Sequence, residues 1–459
     1  MCRYSPLSSH KGIESPNEEV YLPLKVIVSG MGIVSSLGKG ISIFTKALRE
    51  GQSGIIASSR FPELSFSLAA AELKDFDFNN SLFPHADLPP ALLTAAQKIG
   101  RRAPLSIQAS IIAALEAWYE AGLHQRSKDN SRIGLVVAGQ NTTQGYSYNL
   151  YSTFQKNPHY FPPSYALQFM DTNLLGVLSE IFNIEGEGFT IGGASASGNI
   201  ALMHGYRLIQ QDLVDICMVV GSVADLSPLE LQSFYNIGAL SSSGLFCKEP
   251  EKMCRPFDRD HSGFVWGQAS GCLILESRTA DKEQIPSYGE IAGTAMTLDA
   301  SHSSKPCRQG ERRAMQQALD KASKRPRDIQ YINAHGSSSP LGDETELFAI
   351  RDVFEEHLSN IWINSTKSLV GHCLWSAGII EAIATLIQMK EGFIHPNINL
   401  DNPIDDKCRF AGKQKEITTI EVAMSNSFGF GGINSSLIFI KEKDRIESIK
   451  RCKELLIDE

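Results

Sequence analysis

Short apolar runs alternate with longer helical patterns along most of this chain, and that alternation leaves few architectures open. Runs rich in β-branched residues and bounded by Gly or Ser recur at Lys25 to Val28, Gly134 to Ala138, Ile216 to Val220, Cys272 to Leu275, Tyr331 to Asn333 and Val422 to Met424. Their length and near-continuous hydrophobicity suit strands buried on both faces. Helical patterns lie between them at Pro104 to Ala121, Gly198 to Gln210, Arg313 to Lys324 and Ser376 to Lys390. The first opens on Pro and is followed by Gly122; the last is followed by Glu391 and Gly392. Strand and helix in alternation imply layered α/β architecture, because each buried sheet face needs a helix to cover it.

At 459 residues the chain is long enough for two fused core-forming units, expected at 24–278 and 279–440. The segments 1–23 and 441–459, rich in charge and the former also in Ser and Pro, read as tails without fixed structure. No apolar run approaches the roughly 18 to 20 residues that span a bilayer, and Met1 to Leu24 lacks a secretion-signal pattern, so a cytoplasmic location is expected. Nine scattered cysteines with no CxxC spacing argue against a disulfide framework and against structural zinc. A formal net charge of −8, with no basic cluster interleaved with aromatics, leaves no sign of a nucleic-acid surface.

Four motifs carry chemistry. Ile191-Gly-Gly-Ala-Ser195-Ala-Ser-Gly198 is a small-residue elbow leading into a helix. A side chain there feels the partial positive charge of unsatisfied amides, which also suit a developing oxyanion, although such a run alone is more often a tight turn. Asn333-Ala-His335-Gly-Ser337-Ser-Ser339-Pro340 places a histidine just past a strand end, where an active-site crevice or a mere loop cap are both open.

The third motif, Ser365-Thr-Lys367-Ser-Leu-Val-Gly371-His372, sets a lysine and a second histidine five residues apart, ahead of a helix carrying Glu381. Two histidines and a lysine can donate hydrogen bonds to a thioester carbonyl as an enolate develops. In the fourth, Ser425-Asn-Ser-Phe428-Gly-Phe430-Gly-Gly432-Ile-Asn434, glycines allow close backbone approach and a phenylalanine between them can act as a gate. No lysine or helix-opening pattern follows it, as a phosphate-binding P-loop requires.

In this order and spacing the motifs resemble the elongating β-ketoacyl-acyl-carrier-protein synthases, with further similar segments at Arg255-Pro-Phe-Asp-Arg-Asp260, Gly263-Phe-Val-Trp-Gly267 and Asn397-Ile-Asn-Leu-Asp-Asn-Pro403. The resemblance runs from Val26 to Phe439. It implies a homodimer of thiolase-fold subunits, five-layered α-β-α-β-α from two similar halves, acting without a cofactor of their own on substrates carried on the phosphopantetheine of an acyl carrier protein. It implies further that His335 and His372 are catalytic histidines, Lys367 the active-site lysine and Glu381 its loop-supporting glutamate. Ser337 and Ser339 then stand where threonines usually bind pantetheine, Phe430 is the gate, and Phe428 and Asn434 belong with it on the substrate side. No metal is implied.

One position departs from the family. Its nucleophile is a cysteine in the elbow, and Ser195 stands there; Cys373, on another loop, reads as a packing residue. A thiol near a helix N-terminus becomes a thiolate, whereas an alkyl hydroxyl needs an adjacent base. Acyl loading, and with it condensation, is therefore expected to fail, while decarboxylation of a malonyl thioester needs only the enolate-stabilising donors and a dry pocket. The pattern resembles the free-standing ketosynthase-like decarboxylases of polyketide β-branching cassettes, which convert malonyl to acetyl carrier protein for a hydroxymethylglutaryl-synthase-like enzyme. Two alternatives stay open: a serine-dependent acyl-enzyme condensing enzyme or acyltransferase, and a non-catalytic subunit resembling a chain-length factor, although the latter is expected to lack one of the histidines.

Overall fold

The computed structural model describes residues 24–82, 87–241, 248–278 and 285–442. The expected N-terminal tail and all but Lys441 and Glu442 of the C-terminal one lie outside the described residues.

The chain lays down ten principal strands in two rounds. The first comprises β1 (Lys25–Ser35), β2 (Ile133–Ala138), β3 (Gly188–Ile191), β4 (Ile216–Gly221) and β5 (Ala269–Arg278). The second comprises β6 (Gly289–Leu298), β7 (Tyr331–Asn333), β8 (Trp362–Asn364), β9 (Val422–Gly429) and β10 (Ile433–Ile440). Their spatial orders are β3-β2-β4-β5-β1 and β8-β7-β9-β10-β6. In each, the first two junctions are parallel and the last two antiparallel. The halves thus repeat one topology, a duplication that composition and periodicity do not reveal. A three-residue antiparallel pairing of β1 with β6, Val26↔Ile291 to Val28↔Gly289, joins them edge to edge.

Six helices repeat in the same way: α1 (Leu105–Glu120), α2 (Thr172–Phe182) and α3 (Ser197–Gln210), then α4 (Arg308–Lys321), α5 (Pro340–Phe354) and α6 (Ala377–Glu391). One core packs α1 and α2 on the first sheet, a second packs α4 and α5 on the other, and the largest encloses α3 and α6 between them. Three helical layers around two sheets make the five-layered thiolase fold. Because α6 is covered on every side, its residues from Ala377 to Met389 are all buried, which is why it reads as apolar all round. It stops at Gly392, whose left-handed φ of 68° caps the last carbonyls.

Helices α3 and α6 meet at Gly198 and Gly378, each the second residue of its helix. A Cβ on Gly198 would stand 2.6 Å from Ile379 N, and one on Gly378 2.6 Å from Asn199 N. This contact brings the two helix entrances, and the turns before them, to one place.

Boundaries shifted where polar residues are structural. The glycine-rich segment 425–434 is a hairpin: Ser425 to Gly429 continue β9, β10 resumes at Ile433, and only residues 430–432 turn, with φ of 87° and 71° at Gly431 and Gly432. Its polar strand residues are buried because they pair, as Ser436 Oγ does with Asn426 Oδ1 at 2.8 Å. Helix α4 begins at Arg308, ahead of the expected Arg313, through a polar first turn. Among the described residues no helix is long and apolar enough to cross a membrane.

Candidate active site

After β3 the chain passes Gly192 and Gly193 into a single 3-10 turn, Ala194–Ala196, and then α3. Ala194 takes a φ of 48°, a left-handed conformation that costs a non-glycine residue about 1 kcal/mol or more. Ser197 holds the turn: its Oγ accepts from Gly193 N at 2.8 Å and donates to Ala194 O at 2.7 Å. Ser195 sits at the centre, half-buried. The second half repeats the device. Beyond β8, a short helix, Lys367–Val370, and Gly371 lead to His372 and a 3-10 turn, Leu374–Ser376, that enters α6 with a φ of 50° at Leu374. The two turns face each other across the Gly198 and Gly378 contact.

His372 is buried and fixed at both ends. Its amide donates to Val265 O at 2.6 Å and its carbonyl accepts from Gly267 N at 3.0 Å. The Leu374 amide donates to its Nδ1 at 3.2 Å, so Nδ1 carries a lone pair and the proton of the neutral ring resides on Nε2. Nε2 lies 2.9 Å from Ser195 Oγ, and His372 is therefore the donor in that hydrogen bond.

His335 follows β7 and stands edge-to-face with His372, ring centroids 5.4 Å apart, and 5.8 Å from the ring of Phe428. Lys367 Nζ lies 3.4 Å from its Nδ1, donates to its carbonyl at 2.6 Å and pairs with Glu381. An ammonium has only donors, so His335 Nδ1 also accepts and its Nε2 carries the proton. Burial and the adjacent Lys367 ammonium hold both imidazoles well below the ordinary histidine value, with His372 adding to the effect on His335. The site therefore offers two neutral N–H donors rather than two bases.

Lys367 and Glu381 are buried behind His335 and do not line the cavity. Burial pushes the Glu381 carboxyl upward, and the Lys367 ammonium pulls it back. The loop after β7 is held by Glu346 of α5, whose carboxyl accepts from His335 N at 2.9 Å and Gly336 N at 2.7 Å. Burial pushes Glu346 up to about 7.

A cavity of about 640 Å³ contains Ser195, His335, His372, Ser337, Ser339, Phe428, Phe430 and Asn434 in its lining. The Ser337 and Ser339 hydroxyls lie 2.8 Å apart. Phe430 is exposed at the hairpin turn, its ring 6.4 Å from Phe234. Asn434 donates to Asp299 at 2.8 Å. Cys373 is buried, with its thiol pushed upward by burial and its Sγ near Val370 O. Sequence reasoning missed the Leu374 amide, Glu346, Ser197 and Asp299. Of these, only Ser197 lay within a motif already singled out.

Family models described as the β-ketoacyl synthase N-terminal and C-terminal domains match residues 24–280 and 288–401. The chain is 36% identical over 429 residues to the polyketide biosynthesis malonyl-ACP decarboxylase PksF of Bacillus subtilis strain 168, covering 93% of this chain and 97% of that protein. It is 31% identical over 427 residues to 3-oxoacyl-[acyl-carrier-protein] synthase 2 of Coxiella burnetii, covering 92% and 99%. Among solved structures it resembles the AntDE:AntF complex of a type II polyketide synthase acyl-carrier protein with its ketosynthase, with a TM-score of 0.80 at 26% identity, covering 92% of this chain and 100% of that one. The ishigamide ketosynthase/chain length factor matches with a TM-score of 0.79 at 26% identity and the same coverage.

Proposed function

This chain belongs to the β-ketoacyl synthase family, and from that membership we infer that it decarboxylates malonyl thioesters carried on an acyl carrier protein, releasing acetyl carrier protein. The observation that carries the reading is the Leu374 amide bonded to His372 Nδ1. It makes His372 a donor toward Ser195, so the hydroxyl has no base there to activate it as a nucleophile. The same geometry aims two Nε2–H groups into the cavity, where a thioester carbonyl between them would have its oxygen stabilised as it becomes an enolate.

The sequence of events follows from these parts. The pantetheine arm enters past Phe430 and hydrogen-bonds Ser337 and Ser339. His335 and His372 hold the thioester oxygen while the malonyl carboxylate, stripped of water, departs as carbon dioxide. Ser195 accepts from His372 before substrate arrives, yields that N–H to the thioester oxygen and receives no acyl group, so the enolate meets no electrophile and is protonated to acetyl. Lys367 and Glu381 act from behind, setting the tautomer of His335. Phosphopantetheine is the substrate carrier, and no further cofactor enters the chemistry.

The name of the B. subtilis relative supports both the reaction and a place in polyketide biosynthesis. β-Branching, with a hydroxymethylglutaryl-synthase-like enzyme as consumer of the acetyl group, is the proposed context. A homodimer is proposed as well. Among the described residues strand β3 pairs with β2 alone and its other edge is open, and the adjoining segment 144–170 exposes Tyr151, Phe154, Tyr160 and Phe169. Thr190 of β3 donates to Asp171 O at 3.3 Å and ties that segment to the edge.

The serine acyl-enzyme alternative draws on the 2.9 Å contact between Ser195 and His372, but the tautomer opposes it. The test is an incubation of malonyl carrier protein with an acyl thioester primer. The decarboxylase leaves the primer untouched and forms no β-ketoacyl product; a condensation product would return the protein to the synthases.

A further inference from the structure

A decarboxylase must return a proton to the carbanion it makes, and the groups assigned so far do not supply one. Both histidines use their Nε2 protons to hold the enolate oxygen. Lys367 has its three donors committed to His335 and Glu381, and it does not line the cavity. A serine hydroxyl is too weak an acid to serve.

Two further acids line the same cavity, Asp299 and Glu311, and of these Asp299 accepts a hydrogen bond from Asn434. Glu311, in the first turn of α4, is 1% exposed, and its Oε2 has no hydrogen-bond partner among the described residues. Three groups face it: Glu346 from α5, Asp299 from the loop after β6, and the Cys307 thiol at the entrance to α4. Asp299 is itself engaged with Asn434 and has Arg313 at 3.9 Å. Gly310 makes the crowding possible, since a Cβ there would overlap Asp299 and Asn434. An ionised carboxylate in this setting would be desolvated beside two like charges, and the helix N-terminus is not enough to offset that. Burial and these neighbours accordingly push the Glu311 carboxyl well above its ordinary value, which favours its protonated form.

We propose that Glu311 is the acid that protonates the carbanion left by decarboxylation, from its place on the wall shared with Ser195, His335 and His372. Once carbon dioxide has left, the carbanion's electron pair takes the carboxyl proton and forms the third C–H bond of the acetyl methyl group. The O–H bond of Glu311 breaks, its electrons stay on the carboxylate, and a solvent proton restores the acid for the next turnover. The inference rests on the decarboxylase reading.

The experiment compares wild type, Glu311→Gln and Glu311→Asp on malonyl carrier protein across pH, with thermal melting as the check on folding. Loss of a general acid costs about 10²-fold or more, so the Gln variant is expected to fall by that factor with an unchanged melting curve. Wild-type activity is expected to decline as pH rises through the ionisation of Glu311. The Asp variant, which keeps an acid, retains that decline, and the Gln variant loses it. A Gln variant with wild-type rate and wild-type pH profile, beside an active wild type, overturns the assignment of Glu311. An inactive wild type overturns the decarboxylase reading instead.

Discussion

Ser195 Oγ and His372 Nε2 lie 2.9 Å apart, and the Leu374 amide on the far side of the ring makes the histidine the donor. The relationship looks like a nucleophile and its base but runs in the opposite direction. Ser195→Ala is therefore expected to keep decarboxylating, with a loss of no more than about tenfold, the scale of one neutral hydrogen bond. Initial rates of acetyl carrier protein formation measure it. Complete loss, together with an acyl ester on Ser195 in the parent, would favour the acyl-enzyme alternative.

Ser195→Cys tests the elbow itself. A thiol at the centre of the Ala194–Ala196 turn stands at the entrance of α3, where unsatisfied amides promote its ionisation to thiolate. The variant is expected to alkylate with iodoacetamide at residue 195 and to accept an acyl chain from a thioester. Peptide mass mapping reads both. A residue 195 thiol no more reactive than buried Cys373 would show that the elbow is not an activating environment.

Replacing His335 or His372 with Ala removes one of two donors to the enolate oxygen. The decarboxylation rate is expected to fall by about 10² to 10³, the usual effect of losing one oxyanion donor. The two histidines reach the site from different loops of the second half, one after β7 and one after β8, so comparable losses at both would support a shared oxygen between them. A variant with nearly full activity would remove that histidine from the mechanism.

Glu346 carries a signature in stability. Its carboxyl is pushed up from 4.5 to about 7 by burial while it holds the His335 loop. A raised folded value means the folded state binds the proton more tightly, so this group stabilises fully below its unfolded value and the contribution is lost as pH rises to about 7. The shift corresponds to about 3 kcal/mol. Glu346→Gln does not titrate, so the stability advantage of wild type over the variant is expected to shrink by that order between pH 4.5 and 7.5. Denaturant unfolding at both pH values measures it, and a constant gap would contradict the assignment.

The residues in and directly behind the cavity wall were legible because their chemistry is written in side chains at motif spacing: Ser195 in a small-residue elbow, His335 past a strand, Lys367 and His372 on one segment. What fixes their roles was not. The tautomer of His372 depends on a backbone amide, that of Leu374, which every residue but proline possesses. Glu346 and Glu311 look like ordinary helix glutamates until α4 and α5 pack them against the site. The strands reading as continuous apolar runs, such as Ile133–Ala138 and Ile216–Gly221, were visible at once. The hairpin at 422–440 was not, because its buried residues include Ser425, Asn426 and Ser427, whose polarity is met by partners across the strand pair.

The most direct measurement is a mass spectrum of malonyl carrier protein after incubation with this enzyme and no acyl primer. A shift from malonyl to acetyl on the phosphopantetheine, with no mass added to the enzyme, is the predicted result. Malonyl carrier protein that stays unchanged in the presence of folded enzyme, or an acyl group found on Ser195, would contradict it.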